Sequence, residues 1–554
     1  MRLFLRPNFL SIGALTVAIA LLPQLSIAQT PAHIDDPMLK AMQAELEREK
    51  QQLLLPGMQR PYFIEYRLDD FSSFEAVANY GSLTRQEEGR QRVVRVTVRI
   101  GDYNLDSSTG KGDGVVQLAP GEDNPDALRY ALWTATDEAY KNALRAYSAK
   151  MAALQQFQSQ RVENDFSREK SVVHIEPLRK LEIDRKEWVR RIVEASGLYA
   201  SAPEVREFSD KVQYSTANIR AMTLNRYLVN TEGTVLRYGL SGYNNGVSVG
   251  TQAPDGMRLA RDNGSVAVTA DQLESWQAFR KQVIDDIKSL DDLSKAPLVD
   301  AEDYHGPVLF SGDAASDVMN RLFTGNIEAD RPDMGTSART RGAYASSYKA
   351  RVLPEFMSVV DNPLQTTFQG HSLLGAYQVD DEGVPARSVN VVTHGRLDNY
   401  LIGREPVRDF PSSNGHGRAA PGAPAHSGSG VLIFTSSHPV SADELNRELL
   451  AMAKEQKRDV YMVETMGGEV PRLLYLVHPD GTRQLVRGAA FDELDNRSLR
   501  SEIRAAGSDP YVNESLGALP QTIIVPSLLF GDIGVKRAAE EQQKLPYYPP
   551  PPSR

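Results

Sequence analysis

The sequence predicts a two-domain protein of the α+β class, with helices and antiparallel strands in both halves of the chain. Length is the first reason, because 554 residues exceed what a single hydrophobic core ordinarily serves. Hydrophobic and charged contents of 41% and 24% are those of an ordinary globular protein. Segments of helical period are interleaved with strand-like segments and turn sequences, so we expect a mixed fold.

The first half is predicted to pack helices against a meandering antiparallel sheet. Pro37 to Leu54 and Thr136 to Phe157 have helical period, and the apolar stripe of the second is expected to pack on the sheet, although it could also face a partner. Valines alternate with Arg and Thr from Val93 to Ile100, as in a half-buried strand. Four turn sequences divide residues 215–268 into short strands: Asn230-Thr231-Glu232-Gly233, Asn244-Asn245-Gly246, Pro254-Asp255-Gly256 and Asp262-Asn263-Gly264.

A boundary between the domains is predicted at residues 295–303, after a helix from Gln272 to Leu293. The second half opens with a short strand, Pro307 to Phe310, and a short helix, Asp313 to Phe323. A polar stretch from Thr324 to Ser347 is predicted to be a long loop. Three later strands and one helix with a capping box are predicted: Val431 to Thr435, Ser441 to Lys457, Val460 to Glu464 and Leu473 to Val477.

Residues 1–28 have the pattern of a secretory signal. Arg2 and Arg6 precede an apolar stretch from Phe9 to Leu22, and Ser26-Ile27-Ala28 is a small-residue cleavage site. We therefore expect a periplasmic or secreted protein without stable membrane insertion after cleavage, the alternative being an uncleaved anchor. The net charge of −10 argues against a nucleic-acid surface. Residues 541–554 are predicted to be an extended Pro-rich tail.

The complete absence of cysteine excludes several chemistries. No disulfide can stabilise the fold, and no thiolate can act as a nucleophile or a metal ligand. Cysteine proteases, zinc ribbons and iron–sulfur sites are therefore excluded.

The most distinctive stretch is an acidic turn, Asp380-Asp381-Glu382-Gly383-Val384-Pro385-Ala386-Arg387, followed by an alternating segment from Val391 to Leu401. The three carboxylates could bind a divalent cation or the N-terminus of a peptide. The interpretation we favour is structural, with Gly383 giving backbone freedom and Pro385 fixing the exit of the turn.

These residues resemble the C-terminal domain signature of the TldD/PmbA family of zinc metallopeptidases. Other segments are similar to motifs of the family in the same order along the chain: Asn230 to Thr234, Asn414 to Arg418, Val486 to Ala489 and Pro526 to Leu529. The resemblance implies an α/β first domain, placed at residues 35–295, and a larger β-rich second domain, placed at residues 300–540. It also implies a dimer enclosing a cavity in which zinc-bound water cleaves an unfolded peptide.

The resemblance locates the zinc motif but not its ligands. Catalytic members carry His-Glu-x-x-x-His on the helix that opens the second domain, and a cysteine near the C-terminus. Aligned without a gap, the histidines become Ser311 and Ser316 and the glutamate becomes Gly312. Serine is not a credible zinc ligand, so we expect no cofactor, identify no catalytic residue, and expect the chain to be similar to the partner subunit that lacks the motif.

Two weaker site predictions remain. A loop metal site could combine the acidic turn with some of His371, His394, His416 and His426, although no pair among the nine histidines has the spacing of two ligands on one helical face. Substrate or partner binding is predicted at six residues: Asp380, Asp381, Glu382, Arg387, Arg404 and Arg418. Replacing Asp381 and Glu382 by Ala is then expected to weaken such binding and to leave the fold intact.

Three functions remain open. Our main prediction is a zinc-free subunit that dimerises with a catalytic TldD-like subunit, or with itself, and lines the cavity for unfolded peptides. The alternatives are an independent peptidase with a rearranged metal site or an unrecognised nucleophile, and a non-enzymatic peptide-binding or scaffold protein of the same fold.

Overall fold

The computed structural model describes residues 35–108, 110–156, 163–300, 304–332 and 338–538. The predicted signal peptide and the predicted Pro-rich tail lie outside these residues. Within them, no helix has both the length and the apolarity that crossing a bilayer requires. The structure is a mixture of helices and antiparallel sheets, as the sequence predicted.

A seven-stranded sheet organises the first half, with the order β3-β2-β1-β5-β6-β4 and β7 added to β6. Its strands are β1 (Phe63–Asn79), β2 (Ser82–Arg99), β3 (Val115–Leu118), β4 (Val173–Ile175), β5 (Tyr214–Asn230), β6 (Val235–Gln252) and β7 (Arg258–Ala267). Its helices are α1 (Pro37–Gln52), α2 (Pro125–Gln156), α3 (Arg185–Ser201) and α4 (Trp276–Lys295), with 3₁₀ turns at Gly110–Asp113, Pro203–Lys211 and Ala270–Gln272.

The helices cover one face of this sheet in two separate groups. Tyr66 and Leu68 of β1 pack with α1 and α2, whereas Phe74 and Ala76 of the same strand pack with α3 and α4. Tyr140 of the predicted α2 stripe is fully buried in the first group, as expected for packing on the sheet, while Met151 is 38% exposed.

The opposite face of the sheet is covered by the second half of the chain. Val94, Val96 and Val98 of β2 point into the α1–α2 core as predicted, but the alternate Arg95 is also buried, and its Nη1 donates to the Gly422 carbonyl at 3.2 Å. The expected half-buried strand is therefore buried on both sides, because a domain contact replaces solvent.

Two of the four predicted turns are wrong. Asn230–Gly233 and Pro254–Gly256 do connect strands, but Asn244–Gly246 and Asp262–Gly264 lie inside β6 and β7, where Gly246 pairs with Gly264. A Cβ on Gly264 would lie 2.9 Å from the Gly246 Cα. These glycines permit close approach of two strands rather than a reversal of the chain.

Two sheets form the second half. The first has the order β13-β12-β9-β16-β23-β22, and the second has the order β19-β18-β17-β8-β24-β20 with β21 added to β24. The strands of the first are β9 (Met357–Asp361), β12 (Val389–Thr393), β13 (Arg396–Leu397), β16 (Val431–Ser436), β22 (Tyr511–Leu516) and β23 (Pro520–Val525). Those of the second are β8 (Tyr304–Phe310), β17 (Val460–Gly467), β18 (Val470–Val477), β19 (Arg483–Val486), β20 (Ala489–Asp492), β21 (Ile503–Ala506) and β24 (Leu528–Arg537).

Smaller elements complete this half. Two short hairpins join β10 (Thr367–Phe368) to β11 (His371–Ser372) and β14 (Gly417–Arg418) to β15 (His426–Ser427). The helices are α5 (Gly312–Met319), α6 (Gly325–Ile327), α7 (Ala442–Gln456) and α8 (Asn496–Ser501), and a π-helical turn at Asn320–Thr324 continues α5. The predicted boundary at residues 295–303 falls between α4 and β8.

Helix α5 lies in the main core between the two sheets. Its Ala315, Val318 and Met319 pack with Phe310 of β8 and Val359 of β9. Ser311 caps the helix by accepting from the Ala314 amide at 3.3 Å. The helix that the sequence predicted at Asp313 to Phe323 is thus confirmed, in the position where the family resemblance places the metal motif.

Candidate functional site

The acidic turn is built around a buried aspartate. The Asp380 carboxylate accepts from the backbone amides of Glu382, Val384 and Gly417 at 3.0, 2.8 and 2.9 Å. Gly383 has φ of +83°, and a Cβ there would lie 2.8 Å from the Thr234 Cγ2 atom. Asp380 and Gly383 therefore fix the shape of the turn, as the structural interpretation expected.

Asp381 joins this turn to the N-terminal sheet. Its carboxylate pairs with Arg226 of β5 at 2.7 Å and with Arg418 at 3.5 Å, and it accepts from the Tyr238 hydroxyl and, at 2.6 Å, from the Ala419 amide. Arg226 is 1% exposed and also pairs with Asp69 of β1 at 2.6 Å. Charges of alternating sign thus run from the first half of the molecule into the second.

Glu382 positions a second buried arginine. It accepts from the Arg404 backbone amide at 2.6 Å, while the Arg404 side chain makes two bonds of 2.8 and 2.9 Å to Glu232. The guanidinium group also stacks on Phe166, 3.9 Å from the ring centroid. Because Glu232 lies in the turn between β5 and β6, the two turn motifs that carried the family resemblance meet at this arginine.

The carboxylates of the turn have opposite acidities. Burial opposes ionisation of Asp381, but Arg226 and Arg418 outweigh it and hold its pKa well below the ordinary value. Burial raises the pKa of Glu382, and the neighbouring Asp380 raises it further. Asp381 therefore stays ionised in the contact between the acidic turn and the N-terminal sheet, whereas Glu382 favours the protonated form.

The remaining predicted site residues do not join the buried contacts of the turn. Arg387 ends the turn but is exposed, as are His371 and His394, and His426 is exposed beside Asp330 at 3.9 Å. His416 is fully buried, with its Nε2 atom 3.3 Å from Asp361. In the part of the chain that the structure describes, no three His, Asp or Glu side chains are grouped as metal ligands would be.

The positions aligned with the zinc motif serve the packing of α5. The Ser311 hydroxyl donates to the Glu464 carbonyl at 2.6 Å. Ser316 is fully buried, donates to the Asp313 carbonyl at 2.7 Å and accepts from Asn513 of β22 at 2.8 Å. A Cβ on Gly312 would lie 2.6 Å from the Tyr511 Cβ atom, so a side chain has no room there.

Two carboxylates on α5 were not singled out from the sequence. Asp313 and Asp317 are four residues apart and therefore share a helix face. Burial and, to a smaller extent, the neighbouring Asp313 raise the pKa of Asp317 to about 6. Burial also raises the pKa of Asp313, although the adjacent Tyr511 hydroxyl partly opposes this. The i, i+4 spacing was readable, but the partial burial that makes the pair unusual depends on β22.

A helix enclosed by two sheets, with a separate helix-covered sheet docked through buried ion pairs, defines a two-part α+β protein. Residues 303–537 match the PmbA/TldA metallopeptidase C-terminal domain. The second half of the chain is therefore a domain of the TldD/PmbA type, as its motifs suggested.

Solved structures share this fold along almost the whole chain. A proposed DNA gyrase modulator from Thermotoga maritima aligns at 16% identity and TM-score 0.59, covering 90% of this chain and 99% of that one. TldE from Thermococcus kodakarensis aligns at 11% identity and TM-score 0.59, with coverages of 89% and 99%. A proposed DNA gyrase modulator from Bacteroides thetaiotaomicron aligns at 11% identity and TM-score 0.59, covering 90% of this chain and 98% of that one. No curated protein matches the sequence.

Proposed function

We propose that this chain is an exported, zinc-free member of the family that pairs with a zinc-bearing subunit and lines the cavity in which unfolded peptides are cleaved. The observation that carries the proposal is the packing of α5. Gly312, in the place of the motif's glutamate, lies against Tyr511, and Ser316, in the place of its second histidine, is sealed in the core by Asn513.

A hydrolytic zinc site needs three protein ligands and an open position for water. Histidine at position 316 would have to displace the Ser316–Asn513 contact inside the core, and the family's cysteine ligand has no equivalent in a sequence without cysteine. These features favour a supporting subunit over an independent peptidase.

The same helix retains groups that suit a peptide. Asp313 and Asp317 present carboxylates on adjacent turns, beside Tyr511 and Asn513 of β22. Carboxylates and hydroxyls can accept from the N–H groups of an extended peptide or from its terminal ammonium group. Export rests on residues 1–28, whose charged start, apolar stretch and small-residue site have the order of a secretory signal.

The test is co-expression of this chain with a family member that carries His-Glu-x-x-x-His, each with a different affinity tag. We expect the two chains to co-purify, and zinc analysis to find the metal only in the catalytic subunit. Cleavage of a fluorogenic unfolded peptide should require that subunit and should increase when this chain is present. An Asp313→Asn/Asp317→Asn variant should still pair but should raise the KM of the complex.

Two results would contradict the proposal. Stoichiometric zinc in the lone chain, with cleavage that a chelator abolishes, would establish an independent peptidase. Failure of this chain to bind the catalytic subunit or to change its cleavage rate would leave a separate binding or scaffold protein.

A further inference from the structure

A cavity of about 520 Å³ opens on the helix-covered face of the N-terminal sheet. It lies between the start of α1 and the segment 178–181, and strands β1 and β5 form its floor. Its volume falls within the range of small-molecule binding sites. The cavity is separate from the acidic turn, which contacts the opposite face of this sheet through Asp69 and Arg226.

The cavity lies where the helix-covered face of strand β1 changes from apolar to polar residues. Its register with β5 is regular throughout, so alternate residues share a face. Tyr66 and Leu68 lie under the α1–α2 group and Phe74 under the α3–α4 group, but Asp70 and Ser72 between them are polar. The polar interruption coincides with the gap between the two groups of helices.

The neighbouring strands continue this polar floor. Asp70 is paired with Asn225 of β5 and with Arg92 of β2, and Ser72 is paired with Thr223. Thr223 is only 2% exposed and Tyr227 only 3%, and both line the cavity. Among the residues that the structure describes, neither hydroxyl has a hydrogen-bond partner. Neither oxygen is among the fully enclosed side-chain atoms that lack a partner, so both hydroxyls open into the cavity and are suited to a polar ligand.

Most charges around the cavity are neutralised within the protein. Arg92 is held by Asp70 and Asp123 at 2.8 and 2.5 Å, and Arg237 is held by Asp36 at 2.6 Å. Asp35 at the rim pairs with Lys40 at 2.5 Å. The lining carboxylates are therefore occupied by cations of the protein.

Two cations of the lining are different. Arg179 and Lys180 form no ion pair with any residue in the described ranges, although both line the cavity. Their segment is fixed on the floor, because the Arg179 amide donates to Asn225 Oδ1 at 2.8 Å and Asn225 Nδ2 donates to the Arg179 carbonyl at 3.0 Å. The Arg179 stem also lies over Gly239, where a Cβ would be 2.4 Å from its Cγ. The cavity therefore carries positive charge on a fixed segment, and no carboxylate in the described ranges pairs with it. This charge lies close to the hydroxyl groups of the floor.

We propose that this cavity is a binding site for a small polar molecule with one anionic group, a carboxylate or a phosphate. Arg179 and Lys180 bind the anionic group, and the hydroxyls of Ser72, Thr223 and Tyr227 bind polar groups of the ligand. The site is independent of peptide cleavage and of the partner subunit.

Calorimetric titration of the purified chain tests this site with three probes: gluconate, glucose 6-phosphate and glucose. We expect one or both anions to bind, and binding to weaken as salt is raised. The stronger of the two identifies the anionic group as carboxylate or phosphate. Binding of neither anion, or binding of glucose as tightly as of the anions, would overturn the proposal.

Variants locate the binding. Arg179→Ala/Lys180→Ala should weaken anion binding at least tenfold, and Thr223→Val, which keeps the shape of the side chain, should weaken it severalfold. The matched control is Lys186→Ala/Lys288→Ala, which removes the same charge from exposed positions on α3 and α4 and should leave affinity unchanged. Equal weakening in the control, or unchanged affinity in Arg179→Ala/Lys180→Ala, would show that the cavity is not the site.

Discussion

The acidic turn and helix α5 both concentrate carboxylates, but they treat them in opposite ways. At the turn, Asp380 and Asp381 receive backbone amides and two arginines. On α5, Asp313 and Asp317 lie one helical turn apart with raised pKa values. Among the residues that the structure describes, neither forms an ion pair. Carboxylates whose oxygens all bind protein groups hold parts of the structure together. Carboxylates with fewer protein partners can still bind a ligand.

The largest loss of stability is expected from breaking the buried ion pairs that Arg226 forms with Asp69 and Asp381. Arg226→Met leaves Asp69 and Asp381 buried without their shared cation, and we expect a loss of about 3–5 kcal/mol in the free energy of unfolding, measured by denaturant titration. Arg190→Met is the control, because Arg190 is half exposed on α3 and its pairs should contribute less than about 1 kcal/mol. Equal stability of the two variants would mean that Arg226 does not hold the domains together.

The contribution of Asp381 to the free energy of unfolding depends on pH in a definite direction. The pKa of Asp381 is lowered in the folded state, so its contribution is complete above the ordinary carboxyl pKa of about 4 and is lost as the pH falls further. Asp381→Asn should therefore flatten the acid limb of the stability profile. Replacing both Asp381 and Glu382 by Ala, which was expected to weaken binding and to leave the fold intact, should therefore also lower stability.

A smaller effect is expected from filling the space over α5. Gly312→Ala places a methyl group 2.6 Å from the Tyr511 Cβ atom, and overpacking of this kind costs about 1–3 kcal/mol. Gly325→Ala is the matched control, because nothing lies within 4 Å of the corresponding position. If both variants keep wild-type stability, Tyr511 does not close position 312 and the argument against a metal motif on this helix loses its main support.

Local patterns predicted much of the fold. The helix that begins at Pro37 and the strand that begins at Val431 could be predicted from their local sequence alone. The family motifs located α5. The sequence misassigned Asn244–Gly246 and Asp262–Gly264, because Asn-Gly pairs favour a turn unless a facing glycine allows two strands to approach closely.

The sites were harder to predict than the elements. Arg404 and Asp381 were singled out from the sequence, but their partners Glu232 and Arg226 lie about 150 to 170 positions earlier in the chain, and no local signal connects them. Nothing in the sequence around Asp70 and Ser72 distinguishes a cavity floor from an exposed face. That distinction depends on where two separate groups of helices end on the sheet.

The smallest effect concerns the carboxylate pair on α5. Since folding raises the pKa of Asp317 from its ordinary value to about 6, the folded state favours its protonated form, and stability is lost as the pH rises from about 4 through 6. Asp317→Asn removes this loss, so the variant should match the wild type at pH 4 and exceed it at pH 8 by about 1 kcal/mol, a value reduced for solvent screening of a partly exposed group. Thermal unfolding at both pH values measures the difference, with the exposed Asp210→Asn as the control. A gain that is the same at both pH values would show that Asp317 is an ordinary surface carboxylate, and α5 would then resemble the acidic turn in having no capacity left for a ligand.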